Sequence, residues 1–395
     1  MIDRSDQTVW RDHFDALHSY IQSQNFTGYD PYDGLMGIIQ PNLVGARLAR
    51  FWMQFMKRFP LNLRSLLRIP KMRNPKAMAL FLQALIDYDD QWPQNPLKSD
   101  IQFLFEWLQA NRCNGFSGDC WGYPFQWYSK DLLMPPNTPS VVVTAFAGKA
   151  ILRYYEMTQS QRALESLKNI ILFFQKEIPT HHDQSGICFS YTPFRKDCIY
   201  NANMLVAELL IRMGDICNHS RWLELGKMAT RFVLSKQKER GFWNYSLDPK
   251  TGIEKPQIDF HQGFILESLY QIKNTTYIAG LDQALETGAR FYKNNQFNMF
   301  GQSKWRWPKS WPVDIHHQAQ GIITFSLLSK DEPYYMPVAK KIAAYTLRVM
   351  RSQTGYFYYQ KWPVLMNRIP YMRWGQAWML KALGTLVYRT KPLKH

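Results

Sequence analysis

The chain has 395 residues, with 48 Lys and Arg against 31 Asp and Glu, for a formal charge of +17. Aromatic residues make up 15% and charged residues only 20%, below the roughly 25% of ordinary domains. A hydrophobic content of 46% excludes a disordered chain, which has too little apolar surface to offset its entropy.

In chain order, the N-terminal stretch MIDRSDQTVWRDHFDAL carries acids and a His and lacks the apolar segment of a signal peptide. The most apolar runs, Val141 to Ala147 and Gly321 to Leu328, are far shorter than the roughly 20 residues that span a bilayer. A cytoplasmic protein is expected. Residues 56 to 73 mix Lys57, Arg58, Arg64, Arg68, Lys71 and Arg73 with Leu, Phe and Ile. That pattern suits peripheral contact with an anionic membrane or a partner protein, and equally a solvated helix flank. Excess positive charge attracts nucleic acid, anionic lipid and anionic sugar alike. No RNA-binding signature, helix-turn-helix or zinc finger accompanies it, so nucleic acid is not expected as a partner. Cys113, Cys120, Cys188, Cys198 and Cys217 are odd in number and form no C-x-x-C pair. They read as reduced thiols, with no metal and no cofactor expected.

One plan then repeats, roughly every 55 to 70 residues. Each unit is a Gly, an aromatic-rich stretch, a polar loop often with Pro, and a small-residue-rich helix. The openings are Gly115, Gly186, Gly241, Gly301 and Gly355, with a divergent sixth at Gly28-Tyr-Asp-Pro-Tyr-Asp-Gly34 before a helix within Pro75 to Tyr88. Helices apolar all round follow each opening, as in SVVVTAFAGKAILRYYE and IHHQAQGIITFSLLS. Helices with one apolar stripe lie between them, at 161–177, 221–237, 280–294 and 334–350. A helix apolar all round is buried, whereas a striped one faces solvent on its other side. The expected fold is all-α, an (α/α)6 toroid with short β segments in the loops of one rim. Residues 1–395 are expected to form a single domain.

In such a ring every Gly-aromatic segment converges on one rim, which makes a concave binding site. Tyr29, Trp121, Tyr191, Trp243, Trp305 and Trp374 are candidates to stack on sugar rings, although aromatic side chains also fill cores. Asp119, Asp259 and Asp314 are candidate catalytic carboxylates, and each is also placed to cap a helix. Asp33, Asn201 and Glu267 are candidate hydroxyl ligands. His261 and His316 stand two residues after an Asp in adjacent repeats, as candidate bases. Arg195, Arg368 and Arg373 present forks suited to carboxylate or phosphate. Tyr371, between Arg368 and Arg373 in sequence, is a candidate proton donor, because nearby cations lower a phenol's pKa.

The segments FTGYDPYDGL, CWGYPFQW, CFSYTPFRKDCIYNANMLVAELL, DFHQGFILESL, WPVDIHHQAQGIITF and NRIPYMRWGQAWMLKAL resemble proteins of bacterial exopolysaccharide and O-antigen gene clusters. Those are similar to the six-hairpin glycosidase superfamily, which includes glycoside hydrolases, sugar 2-epimerases and uronyl C5-epimerases. The resemblance spans nearly the whole chain. It implies the toroid and a role in surface-polysaccharide biosynthesis, and with the charge of +17 the expected substrate is an anionic or lipid-linked oligosaccharide. As a hydrolase, the chain would take its carboxyl pair from Asp119, Asp259 and Asp314. As an epimerase, it would move a proton with Tyr371 and His261 or His316, beside a carboxylate held by Arg195 or Arg373. A non-catalytic glycan-binding or scaffold protein would need the aromatic rim alone.

Overall fold

A computed structural model describes residues 4–88, 96–129 and 132–390. The chain opens with α1 (Arg4–Ser23), makes a tight helical turn at Asp33–Leu35, then forms α2 (Pro41–Val44), α3 (Ala46–Arg58), α4 (Pro75–Tyr88) and α5 (Lys98–Ala110). There follow α6 (Val141–Thr158), α7 (Gln161–Glu177), α8 (Tyr200–Ile216), α9 (Ser220–Leu234), α10 (His261–Lys273) and α11 (Leu281–Gln296). Last come α12 (Ile315–Leu328), α13 (Tyr335–Met350) and a π-helical turn, Met372–Ala377, that runs into α14 (Trp378–Arg389).

Helices α4, α6, α8, α10, α12 and α14 pack each against the next, and α14 packs against α4, so six inner helices close a ring. Outer helices α5, α7, α9, α11 and α13 each cover the inner helix of their own hairpin. The sixth outer helix is α1, which packs on α14, so the two ends of the chain build one hairpin together. The sequence reading assigned no helix at 4–23, where the charged residues mask a stripe of Trp10, Phe14, Leu17 and Ile21, all buried. The two helix classes follow burial. From Tyr200 to Ile211 every residue of α8 is buried, whereas α7 buries Ala163, Ser166, Leu167, Ile170, Ile171, Phe173 and Phe174 at the spacing of one helical face.

The repeated glycine has a steric cause. Gly241 has φ +93°, and a Cβ there would lie 2.4 Å from the Thr287 carbonyl oxygen on outer helix α11. Gly355 (φ +95°) meets Ala16 on α1 in the same way, which places the sixth outer helix in register with the others. Left-handed backbone and close approach together select glycine. Just past Gly186, Gly241, Gly301 and Gly355, an amide from the first turns of the inner helix clamps the aromatic segment, and past Gly115 the Thr144 hydroxyl takes that place at Trp121 N (3.0 Å). Gln262 accepts from Trp243 N (2.9 Å) and donates to Trp243 O (2.8 Å), and Gln376 does the same at Phe357 (2.8 and 2.9 Å). Asn203 accepts from Phe189 N (2.9 Å) and Gln318 from Ser303 N (2.6 Å). These amides satisfy backbone groups that burial would otherwise strand.

Short antiparallel strands stitch neighbouring rim loops. β1 (Trp127–Ser129) pairs with β2 (Leu132–Met134), and β3 (Thr180–Asp183) with β4 (Gly186–Phe189). β5 (Cys198–Ile199) pairs with β6 (Ser246–Leu247), itself paired with β7 (Glu254–Lys255), so β5–β6 links two repeats. β8 (Val313–Asp314) and β9 (Gln360–Lys361) link the next two, and β9 pairs with β10 (Met366–Asn367) in a hairpin. The segment 28–73, carrying α2 and α3, folds beside this rim, with Leu35, Ala49 and Met53 packed together near Tyr32 and Trp127.

Candidate functional site

Asp259 ends the loop before α10, and its Oδ1 lies 2.5 Å from His261 Nδ1. The carboxylate accepts the Nδ1 proton, which leaves Nε2 of this part-exposed ring for a ligand. Gln257 Nε2 holds the other oxygen at 2.8 Å. Burial alone would raise the Asp259 pKa, but the His261 charge and hydrogen bonds outweigh it and hold the carboxyl below its usual range. Phe260 separates His261 from His316, with a centroid distance of 4.2 Å on each side. His316 also stacks on Trp378 (4.3 Å) and meets the edge of Trp374 (4.7 Å). Both ring nitrogens of His316 are buried without a hydrogen-bond partner. Burial, reinforced by Lys76, pushes its pKa far down, so this imidazole is neutral near pH 7.

Basic groups surround the histidines. Arg373, in the π-turn before α14, grips Asp30 with two bonds, Nε–Oδ2 at 2.5 Å and Nη2–Oδ1 at 2.8 Å. Its guanidinium lies 4.9 Å from the centroid of Tyr123. Arg64 Nε bonds Asp33 Oδ1 at 2.7 Å, with both side chains fully buried. Two lysines at this mouth, Lys57 and Lys76, make no ion pair with a carboxylate among the described residues. Lys76, on the first turn of α4, is caged by Phe146 (4.2 Å), Trp378 (5.1 Å) and Phe264 (5.5 Å). Burial first, then the Arg373 charge, lowers its pKa well below that of a free lysine. Lys57, on α3, bonds the Tyr32 hydroxyl and lies 5.5 Å from the Trp374 ring. Around them stand Tyr123, Tyr191 and Tyr245, whose pKa values are all raised by burial. Two lysines without an ion-pair partner, an arginine fork held by Asp30 and aromatic walls thus meet at this mouth.

The structure gathers some of the candidates from sequence and disperses others. His261, His316, Asp259, Arg373, Trp374 and Tyr191 lie together. Tyr29 and Asp33 border them through Arg64, which sits 6.0 Å from the Tyr29 ring. Asn201 stands on the first turn of α8, its Oδ1 buried without a partner. Asp119 does not join the site. Arg112 holds both its oxygens (3.0 and 2.9 Å) and Ser166 of α7 donates at 2.7 Å, so it ties outer-layer elements together. Asp314 is the N-cap of α12. Its oxygens accept from His316 N (2.9 Å), Trp374 Nε1 (2.9 Å) and Gln360 Nε2 (2.7 Å), and the side chain is buried.

Trp121 and Trp243 are fully buried, their indoles donating to the Leu108 and Val233 carbonyls at 2.9 Å. They are core residues, not stacking platforms. Glu267 faces the opposite mouth of the ring, bonded to Lys149 at 2.9 Å. Tyr371 is buried, and burial drives its pKa up against the pull of Arg64, the reverse of the sequence expectation. Trp305 is half-buried beside Arg306 (5.4 Å). Arg195 is half-buried on a rim loop, and Arg368 is exposed, 5.6 Å from the Tyr358 ring. Sequence reasoning missed Lys76, although a lysine opening an otherwise apolar helix (NPKAMALFLQAL) was a visible signal. It placed Lys57 on a basic surface because the fold of 28–73 was unknown. Among the described residues, no group of His, Cys, Asp and Glu is arranged to hold a metal ion, and no helix is long and apolar enough to cross a membrane.

No protein-family model and no curated protein matches the sequence of this chain. Solved structures share its architecture. A glycoside hydrolase family 76 mannosidase from Bacteroides thetaiotaomicron superposes with a TM-score of 0.62 at 11% identity, over 96% of this chain and 97% of that one. A glycosyl hydrolase of family 88 from Bacteroides vulgatus gives 0.60 at 11%, over 97% and 99%. A cellobiose 2-epimerase from Bacillus thermoamylovorans gives 0.61 at 13%, over 82% and 90%. At such identities the likeness is one of fold, and the fold of this chain is the six-hairpin (α/α)6 toroid.

Proposed function

We propose that this protein is a carbohydrate-active enzyme that moves a proton at a ring carbon of an acidic sugar, in the manner of an epimerase, during assembly of a bacterial surface polysaccharide. The observation that carries the reading is the Asp259–His261 pair beside a neutral His316. His261, oriented by Asp259, serves as the acid or base at Nε2. His316 offers a second, uncharged imidazole across Phe260. Lys57, together with the Arg373 fork already held by Asp30, provides the positive charge that a sugar carboxylate needs and that would also stabilise the enolate formed when its α-proton leaves. Hydrolysis fits the site less well, because Asp30, Asp33, Asp259 and Asp314 are each committed to an Arg, His or capping partner. A glycosidase needs two carboxyl groups free to face the scissile bond. The fold is shared with hydrolases and with an epimerase, so the residues at the rim have to decide between them. The test is incubation of the purified protein with uronate-containing oligosaccharides in deuterated water. Deuterium at a ring carbon, abolished by His261→Ala, is the expected result. New reducing ends without deuterium would establish hydrolysis, and neither product would leave a binding protein.

A further inference from the structure

From Gly34 to Ile86 the chain has no Asp or Glu but nine Lys and Arg, in a protein that contains 31 acids elsewhere. This stretch includes α3, which has two different sides. Ala49, Met53 and Met56 pack inward, and Lys57 reaches the site. The outer side carries Arg47, Leu48, Phe51 and Arg58, all exposed, with Phe51 66% accessible. Phe51, Phe55, Arg58, Phe59 and Pro60 line an apolar groove of about 300 Å³. The loop that follows exposes Leu61 and, at 79%, Leu66, next to the exposed Arg68.

A second element continues this surface. The β9–β10 hairpin is joined to the end of α3 by a hydrogen bond from Asn367 Nδ2 to the Phe59 carbonyl at 3.3 Å. Its tip exposes Leu365 and a fully accessible Val364, with Lys361 and Arg368 on the flanks. Two elements distant in sequence thus present apolar tips among cations at the same rim. Large apolar side chains in water are costly, and a contiguous set of them marks a binding surface. Cations interleaved with apolar tips, with no acid among them, match a bilayer interface. The tips enter the acyl boundary while the guanidinium groups stay at the phosphates.

We propose that this face, formed by α3, the loop after it and the tip of the β9–β10 hairpin, docks the protein on an anionic lipid bilayer. The partner is the surface of the membrane, touched without a spanning segment. Because Lys57 lies on the inner side of the same helix, docking sets the site mouth beside the lipid headgroups, where a lipid-linked sugar would be presented. The docking itself does not depend on the reaction proposed above.

Co-sedimentation of the full chain with vesicles tests it. Vesicles of phosphatidylcholine with phosphatidylglycerol should retain the protein, and phosphatidylcholine alone should not. Salt should release it. Phe51→Glu with Val364→Asp should weaken binding at least about tenfold, and Arg47→Gln or Arg58→Gln about fivefold each. All four positions are exposed, so an unchanged circular dichroism spectrum certifies the fold. Equal retention by neutral vesicles, no retention by either, or retention unaffected by these variants would overturn the proposal. So would a dimer in light scattering that Phe51→Glu dissociates, since the face would then be covered by a second copy. Vesicle binding without deuterium exchange would sink the epimerase reading alone, and exchange without binding would sink the docking alone.

Discussion

The two mouths of the ring are built from similar residue types and behave in opposite ways. At the mouth away from the rim, Lys149 bridges Glu208 (3.0 Å) and Glu267 (2.9 Å), and Asp87 takes Lys381 and Arg153. Ser268 adds a bond to Glu208 Oε2 (2.9 Å) and Gln320 one to Glu267 Oε2 (3.3 Å), while Glu208 Oε1 has only the Arg212 guanidinium at 3.7 Å. Cations and carboxylates meet there in a closed network around a cavity of about 160 Å³. Glu267 is accordingly held below its ordinary pKa, because Lys149 overcomes the effect of burial. At the rim, Lys57 and Lys76 have no carboxylate, and His316 has no hydrogen-bond partner, among the described residues. Desolvated groups left unmatched cost stability, and active sites accept that cost for binding and chemistry. One mouth pairs its buried charges, and the other leaves several polar groups unmatched.

The largest effect expected from breaking this contrast is on turnover. His261→Ala should lower it about a hundredfold or more when exchange is followed by mass spectrometry, and should also lower the melting temperature, because the buried Asp259 carboxylate loses its imidazole partner. Next comes the secured mouth. Lys149→Met leaves two buried carboxylates facing each other and should destabilise the fold by about 3–5 kcal/mol in urea unfolding. The companion change at the rim, Lys76→Met, should be neutral or slightly stabilising, because it removes a desolvated amine that has no carboxylate partner among the described residues. A loss as large as that of Lys149→Met would mean that Lys76 is structural.

The pH dependence gives a third measure. Burial lowers the His317 pKa from 6.5 to about 4, with Asp259 opposing. Between those values the unfolded chain binds a proton that the folded chain refuses, so stability falls as the pH drops from 6.5 toward 4. The full loss from this group is about 3 kcal/mol, and His317→Gln should flatten that part of the curve. The smallest effect concerns the scaffold shared by both mouths. Gly241→Ala should cost about 1–3 kcal/mol, because alanine resists φ +93° and meets the Thr287 carbonyl.

Much of the ring was legible because its causes are local. The Gly-aromatic openings and the all-apolar helices repeat in the sequence, and α7 matches its expected bounds of 161–177. The π-turn Met372–Ala377 was not legible, although it carries Arg373 and Trp374 into the site. Nor was α1 as the partner of α14, since that contact joins the two ends of the chain. Among site residues, Asp259 and His261 were visible as a pair two positions apart. Glu267 was chosen for its place on an inner helix, but sequence does not tell which end of the barrel a helix position faces until the helix pairings are fixed.

What the sequence determined by itself is therefore the repeat, the helix types and a basic stretch without acids, all encoded by residues near one another along the chain. Tertiary structure decided which charges are matched. Lys149 and Lys76 both sit on apolar inner helices, and nothing local distinguishes them. Only the closing of the ring brings two glutamates to one and three aromatic rings to the other. A charge's role depends on its partners across space, and those partners come from other repeats.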